Sequence, residues 1–170
     1  MTFSSPPVHS SSPDSTFRLA AYAVCVRNDE VLLVAVTASD DHSKVWTLPG
    51  GGVERFEDPL DTVIREVEEE TGATSRVVQL LGVDSRVIPK DEAIRGMPHH
   101  NIGIFYEVVI RDSELRPEPS GDTVMPTWIP FAQIASLPRS GLVDVGMSLF
   151  IERPQSGHVP SVQVKGLVRH

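Results

Sequence analysis

Three glutamates crowd one edge of a segment that is predicted to be helical. Glu66, Glu69 and Glu70 are spaced three and four residues apart, so at about 100° per residue they share one stripe of a helix. Like charges at these spacings destabilise an isolated helix. A bound cation would compensate for them, and ligands that are all oxygen favour Mg²⁺ or Mn²⁺. An acidic helix face in water is the alternative, and these three residues alone do not decide between the two.

The helix that carries these glutamates is predicted to run from Pro59 to Thr71. Asp58 can cap it and Pro59 suits its first turn, while Gly72 is typical of a C-terminal end. Glu68 is expected to face solvent. Beside the glutamates lies an apolar stripe that we expect to pack against the core: Leu60, Val63, Ile64 and Val67.

A longer pattern of glycines and charged residues surrounds the three glutamates. It consists of Gly51, Glu57, Arg65-Glu66-Val67, Glu69-Glu70 and Gly72-Ala73. In type and spacing this pattern resembles the Nudix box at every defining position. The preceding Trp46-Thr47-Leu48-Pro49-Gly50 is also similar to the segment that usually leads into that box.

The resemblance implies a fold and an activity. The fold class is α/β, a Nudix-type α/β/α sandwich with a mixed β-sheet. The activity is metal-dependent hydrolysis of a pyrophosphate bond in a nucleoside diphosphate linked to another group. Oxidised nucleoside triphosphates are our first expectation for the substrate, and dinucleotides, ADP-ribose and nucleotide sugars stay open. The box leaves the base, the sugar and the leaving group to other loops.

The resemblance also implies roles for single residues. Glu57 and Arg65 would orient the loop and the helix through ionic hydrogen bonds. Glu69 or Glu70 would act as the general base. The ligands of the Mg²⁺ or Mn²⁺ ion would be Glu66, Glu69 and Glu70, with the backbone of Gly50 close to it.

Loops outside the box offer further candidates. An acid from a loop could replace the box glutamates as the general base, and the candidates are Asp91, Glu92, Glu118 and Asp122. Side chains that could contact the substrate are Arg86, Lys90, Arg95 and Asp122. His99 and His100 are adjacent in a predicted strand, so they face opposite ways and cannot both serve one site. The chain departs from many relatives at Phe56, where they have glycine.

The rest of the chain predicts one folded domain. Residues 1–16 are rich in Ser and Pro and are expected to form a disordered tail. Residues 17–152 would form the domain, and residues 153–170 an extended tail whose segment 162–164 could mediate a homodimer. A hairpin with its turn at Asn28-Asp29 is predicted from segments 18–27 and 30–37. Further strands are predicted at 76–88, 101–111 and 127–130, and helices at 131–137 and 142–152.

Composition limits the class of protein. A net charge of −8 argues against nucleic-acid binding, which relies on basic surfaces. An acidic protein that acts on a polyphosphate needs intervening cations. The single cysteine, Cys25, lies in an apolar stretch and is expected to be buried. We expect no membrane contact and a cytoplasmic protein, since no apolar run approaches the roughly 18 residues of a span.

Two other functions compete with hydrolysis. A non-catalytic Nudix-type domain that senses a nucleotide is the first, although such domains commonly lose carboxylates that are all present here. Isomerase chemistry on a prenyl diphosphate is the second, and it would need a reactive cysteine. Cys25 lies in a predicted core strand, which disfavours that function.

Overall fold

The computed structural model of the chain describes residues 15–37, 44–91, 93, 96–111, 114–117 and 123–162. Four residues proposed from the sequence lie outside these ranges, namely Glu92, Arg95, Glu118 and Asp122. The same is true of nearly all of the predicted N-terminal tail and of residues 163–170. The division of the chain into 1–16, 17–152 and 153–170 therefore stays a prediction.

The first sheet is mixed, and it contains β1 (Thr16–Val24), the central strand of the domain. Its order is β5-β1-β7-β6, where β5 is Gly50–Gly52, β6 is Ser75–Ile88 and β7 is His99–Ile110. β1 and β7 run parallel, and the other two pairs are antiparallel. The predicted mixed sheet is thereby confirmed.

The second sheet is antiparallel throughout and is built around one strand. β3, Glu30–Thr37, pairs with β2 (Val26–Arg27), with β4 (Lys44–Thr47) and with β8 (Thr123–Pro130). The turn between β2 and β3 is the predicted one, because Asn28 and Asp29 both adopt positive φ, 45° and 60°.

The predicted strand 18–27 is wrong as a single element. It divides at Cys25, where β1 ends in the first sheet and β2 begins in the second. The residues from Ala20 to Cys25 are all buried, as expected for a strand covered on both faces. Only the short β2 therefore pairs with β3 in the hairpin.

Three helices in the described part of the chain complete the layers. α1 is Pro59–Thr71, α2 is Phe131–Ile134 and α3 is Gly141–Glu152, so α2 is shorter than predicted. Side chains of β1 alternate between the two covering layers: Ala21 and Ala23 pack in the cluster with α1, and Ala20 and Tyr22 in the cluster with α3. The result is the predicted α/β/α sandwich. No helix among the described residues is long and apolar enough to span a membrane.

The segment after α3 packs back onto the first sheet. The amide of Val83 donates to the carbonyl oxygen of Gly157 at 3.0 Å. Val159 and Val162 pack against the core cluster that contains α3. This contact requires glycine at position 82, because a Cβ there would overlap the Gly157 carbonyl oxygen. Residues 153–162 are therefore attached to the domain.

We expect Gly82→Ala to destabilise the domain and to loosen residues 153–162. The new methyl group has no room, and overpacking of this kind costs about 1–3 kcal/mol. Urea unfolding and limited proteolysis of the C-terminal segment measure the two effects. Gly52→Ala is the matched control, since its Cβ would lie 3.7 Å from the nearest heavy atoms. A Gly82→Ala protein as stable as the parent would contradict the packing described here.

Candidate active site

Two glycines of β5, Gly50 and Gly51, let the backbone lie between β1 and α1. Gly50 has φ 144°, and a Cβ there would overlap the carbonyl oxygen of Ala21 and press on Tyr22. A Cβ on Gly51 would overlap the carboxylate of Glu66. Side chains at either position would push β5 away from its neighbours. The glycines thus allow acidic side chains of α1 to rest directly on the β5 backbone.

α1 begins and ends at the predicted residues. The Asp58 carboxylate accepts a hydrogen bond from the amide of Leu60 at 2.8 Å, and Pro59 occupies the first turn. Gly72 adopts φ 68°, and its amide donates to the carbonyl oxygen of Glu68 at 2.8 Å. These caps fix the length of the helix by local chemistry alone.

The buried face of α1 differs from the predicted apolar stripe at one position. Val63 and Val67 are fully buried, but Leu60 is 40% exposed. Thr62 is buried in the first turn instead, where its hydroxyl donates to the Glu57 carboxylate at 2.7 Å. The buried face of α1 therefore extends to a polar side chain with a partner, on the side of Val63 away from Leu60.

The three glutamates have unequal environments. The Glu70 residue is only 9% exposed, and its carboxylate accepts a hydrogen bond from the amide of Gly50 at 2.9 Å. The Glu66 side chain is 16% exposed and lies against Gly51. The Glu69 side chain is 48% exposed. Two carboxylates are therefore held against β5, and the third stands at the solvent boundary.

Arg65 connects the edge of α1 that carries Glu66, Glu69 and Glu70, which we call the acidic edge, to the loop before the helix. Its guanidinium donates two hydrogen bonds to the carboxylate of Glu57, at 2.8 and 3.0 Å. Its Nη1 also donates to Glu66 at 2.9 Å and to Glu69 at 3.1 Å, and its Nη2 to the Gly52 carbonyl oxygen at 3.4 Å. Arg65 thus supplies positive charge to two of the three glutamates, a compensation that the sequence argument left out.

Glu57 is the strongest partner of that guanidinium. Hydrogen bonds from Arg65, from the Glu54 amide and from the Thr62 hydroxyl lower the pKa of Glu57 to about 2. The ionised carboxylate is therefore the form that the fold stabilises. Together with the Asp58 cap, this side chain joins the loop from Glu54 to Asp58 to α1.

Glu66 shows the opposite shift. Burial raises its pKa; hydrogen bonding and charge from Arg65 lower it, the Glu69 carboxylate raises it further, and Arg18 lowers it slightly. Within the described ranges, no three His, Cys, Asp or Glu side chains converge as they would around an ion. The carboxylates of Glu66, Glu69 and Glu70 nevertheless suit a hard dication, because all their ligand atoms are oxygens. Glu66 is also desolvated beside the like charge of Glu69.

The remaining candidates lie outside this acidic edge. Arg86 forms a salt bridge with Asp84 at 3.3 Å, and its guanidinium lies against Gly141 at the start of α3. Lys90 and Asp91 lie in an exposed turn after β6. The two histidines face different partners, as predicted: His99 contacts the Thr16 hydroxyl at 2.7 Å, and His100 contacts the Ser85 hydroxyl at 2.9 Å.

Three residues near the site were not singled out from the sequence. The Asn101 side chain and the charges of Arg18 and Arg86 lie close enough to the Tyr22 hydroxyl to lower its pKa. Burial outweighs these effects and raises the pKa of Tyr22, and Glu70 raises it further. A charged residue at the start of an otherwise apolar strand was the available signal for Arg18. Nothing in the spacing pointed to Asn101.

Phe56 occupies a strained position in the loop before α1. It has φ 68°, in the left-handed region that favours glycine, and its side chain is 94% exposed. The structure therefore accounts for the glycine that the Nudix box usually has here. The phenylalanine is accommodated by facing solvent, where Arg55 lies over its ring at 4.9 Å.

The site thus consists of a glycine strand, β5, packed under a capped and glutamate-rich helix, α1. The family profile described as NUDIX domain matches residues 16–145. The chain belongs to the Nudix family, as the resemblance predicted. The buried Cys25, whose pKa burial raises to about 12, gives no support to the cysteine-dependent isomerase alternative.

Known proteins resemble the chain over different lengths. Diphosphoinositol polyphosphate phosphohydrolase 3-alpha of Mus musculus is 41% identical over 70 residues, 39% of this chain and 41% of that relative. The chain spans about two fifths of the length of the curated relatives it matches.

Solved structures match more of the fold. A MutT NUDIX hydrolase from Burkholderia pseudomallei has a TM-score of 0.54 and 26% identity, covering 68% of this chain and 84% of that one. An ADP-ribose pyrophosphatase from Streptococcus suis has a TM-score of 0.58 and 21% identity, with 83% and 94% covered. At that identity the second likeness concerns the fold alone.

We expect Glu57→Gln to destabilise the protein in a pH-dependent way. Because the folded-state pKa of Glu57 is lowered from 4.5 to about 2, its contribution is present above pH 4.5 and is lost as pH falls toward 2. The melting temperatures of parent and variant should differ most near pH 7 and converge in acid. Glu54→Gln, in the same loop, is the control. A gap that is constant with pH would contradict the ion pair.

We expect Phe56→Gly to be more stable than the parent by up to about 1 kcal/mol. The variant removes a left-handed strain of about 1–2 kcal/mol but adds flexibility to the unfolded chain. Chemical denaturation measures the difference. Phe56→Ala is the matched control, because it removes the ring and keeps the strained Cβ. If the alanine variant were the more stable of the two, the strain argument would be wrong.

Proposed function

We propose that the chain hydrolyses a pyrophosphate bond in a nucleoside diphosphate linked to another group, and that it uses a divalent cation. The observation that carries the proposal is the position of Glu66 and Glu70. Both carboxylates are held against the β5 backbone by α1, one by the Gly50 amide and one beside Gly51. Carboxylates concentrated at such an edge favour a cation and, through it, a polyphosphate.

Mg²⁺ or Mn²⁺ is the cation that fits these donors. Glu66, Glu69 and Glu70 would hold it, with the Gly50 backbone nearby, since all the donors are oxygens. When bound, such an ion neutralises phosphate charge and lowers the pKa of a bound water. The Arg65 Nη1 group now pairs with Glu66 and Glu69. Binding of an ion would therefore compete with part of this pairing.

The protein residues divide the remaining work. Glu69 is the exposed carboxylate of the three and can accept a proton from an attacking water, while Glu70 is the alternative base. Glu57 and Arg65 position the helix and the loop through their paired hydrogen bonds. Asp91 remains a candidate base in its exposed turn. Precise positioning of this kind supplies a large share of the rate in phosphoryl chemistry.

The names of relatives support hydrolysis of a pyrophosphate bond and leave the identity of the substrate open. One relative is named for diphosphoinositol polyphosphates and a structural neighbour for ADP-ribose. A pyrophosphate linkage is common to both compounds. We propose a small-molecule nucleotide as the substrate here, with oxidised nucleoside triphosphates as the first compounds to assay.

We expect Glu66→Gln, Glu69→Gln and Glu70→Gln each to lower turnover by about 100-fold or more. Glutamine keeps the shape and one acceptor oxygen, so the fold is preserved, but the charge that binds a cation or accepts a proton is lost. The assay measures phosphate or pyrophosphate release from a nucleotide panel with Mg²⁺ or Mn²⁺. Chelation of the metal should abolish turnover in the parent.

Glu68→Gln is the matched control for these variants. Glu68 lies on the same helix with an exposed side chain, so the substitution removes the same charge from the helix without touching β5. If all four variants turned over the nucleotide as fast as the parent, the proposed catalytic site would be refuted. Tight nucleotide binding with no metal-stimulated turnover would instead identify the non-catalytic sensing domain.

A further inference from the structure

Thr62 lies outside the box pattern and is buried in the first part of α1. None of its surface is exposed, and it precedes Glu66 by four residues, so the two side chains lie on the same side of the helix. A threonine inside a helix ordinarily donates its hydroxyl to the carbonyl oxygen four residues earlier. Thr71, at the other end of α1, does so, since its hydroxyl donates to the Val67 carbonyl oxygen. Thr71 therefore shows the ordinary arrangement with which Thr62 can be compared.

The Thr62 hydroxyl has two acceptors within reach and a single proton to donate. The carbonyl oxygen of Asp58 lies 3.2 Å away, and it already accepts the Thr62 amide at 2.9 Å. The Glu57 carboxylate lies closer, at 2.7 Å, and a charged acceptor forms the stronger hydrogen bond. The proton is therefore directed to Glu57, outside the helix, and not to the helix backbone.

This hydrogen bond holds the Glu57 carboxylate from its buried side. The Oε2 atom also accepts the Glu54 amide and Nη2 of Arg65, each at 3.0 Å, and the Oε1 atom accepts Nε of Arg65 at 2.8 Å. Glu54 is exposed and Arg65 has a long side chain with several torsions. The branched side chain of Thr62 is buried and has a restricted χ1. Thr62 is therefore the rigid donor that sets the plane of the carboxylate.

The orientation of Glu57 determines where the Arg65 guanidinium points. The guanidinium is planar, and it binds the carboxylate through Nε and Nη2 in a fixed fork. Its Nη1 atom is left to donate to Glu66 at 2.9 Å and to Glu69 at 3.1 Å. A guanidinium that is free to turn can follow these two glutamates and compete with a cation for their oxygens. A guanidinium that is held on Glu57 cannot follow them.

We propose that Thr62 is a positioning residue for the divalent cation and acts through Glu57 and Arg65. Its hydroxyl keeps the guanidinium on Glu57, so that Glu66 and Glu69 can exchange their Arg65 contact for the cation. Loss of the hydroxyl lets the guanidinium turn toward the glutamates and lowers the affinity for the cation. The inference rests on the proposed function, and it adds to that site a residue that the box pattern does not include.

Binding of Mn²⁺ to the full chain, without nucleotide, measures this effect apart from turnover. We expect Thr62→Val, which has nearly the same shape and no hydroxyl, to weaken Mn²⁺ binding by about 5-fold or more, because a hydrogen bond to a charged acceptor is lost. Thr62→Ala should weaken it similarly, which excludes an effect of the valine methyl group. Thr62→Ser keeps the hydroxyl and should retain most of the affinity. Binding as tight as the parent's in both the valine and the alanine variant overturns the proposal.

Thr71→Val is the matched control for Thr62→Val. Thr71 is as buried as Thr62 and lies on the same helix, but its hydroxyl donates to the helix backbone and not to a carboxylate. We expect Thr71→Val to lower the melting temperature and to leave Mn²⁺ affinity near that of the parent. If it weakened Mn²⁺ binding as much as Thr62→Val does, helix stability would explain both variants and the positioning role would be wrong.

A double variant tests the route through Glu57. Once Glu57→Gln has removed the charged acceptor, adding Thr62→Val should change Mn²⁺ binding little, because the two residues act in one network and their effects are not additive. The measurement is made below the melting temperature of the double variant. A further loss as large as the one that Thr62→Val causes in the parent would contradict this route.

Turnover separates this inference from the proposed function. At limiting Mg²⁺, Thr62→Val should lower nucleotide hydrolysis by about 5-fold, and saturating Mg²⁺ should restore much of it, so that the apparent metal constant changes more than kcat. Mn²⁺ binding that depends on Thr62, with no turnover of any nucleotide, would refute the hydrolase and keep the positioning role. Metal-dependent turnover with the same metal constant in parent and Thr62→Val would refute the positioning role alone.

Discussion

The arrangement of the site depends on the hydrogen bonds that the guanidinium of Arg65 donates. It joins the Glu57 loop, the β5 carbonyl oxygen of Gly52 and two glutamates of α1. A planar group with five donors can make these contacts together, and a lysine ammonium cannot. Because its side chain is only 27% exposed, the contacts are less screened than those of a surface pair. The carboxylates of α1 can crowd together because this cation lies among them.

The second constraint is the central position of β1. One face of this strand packs with α1 and the other with α3, and its residues Ala21 and Tyr22 meet the glycines of β5. The strand therefore connects the acidic edge on one side with the Tyr22 hydroxyl on the other. A change at Tyr22 would act on both, since Gly50 lies against its ring and donates to Glu70.

The features that the sequence predicted correctly are mostly local. The caps of α1, the Asn28-Asp29 turn and the order of strands and helices follow from residue types a few positions apart. The division of the first strand at Cys25 could not be predicted, because it depends on which sheet each half joins. The burial of Thr62, which the predicted apolar stripe did not include, depends on a partner, Glu57, that precedes the helix. The alignment of Arg18, Asn101 and Arg86 across three neighbouring strands depends on strand register, which no local pattern encodes.

An acidic protein that acts on a polyanion must overcome electrostatic repulsion between itself and its substrate. The chain carries a net charge of −8, so long-range attraction does not favour a polyphosphate. A dication on the acidic edge would offset charge at the scissile bond, but its effect on more distant phosphates is weakened by distance and salt. Arg18 lies on β1, which pairs with β5, whereas Arg86 lies on β6 at the opposite edge of the first sheet. In the proposed function, a cation held by the α1 carboxylates is therefore what allows a polyphosphate to approach an acidic protein.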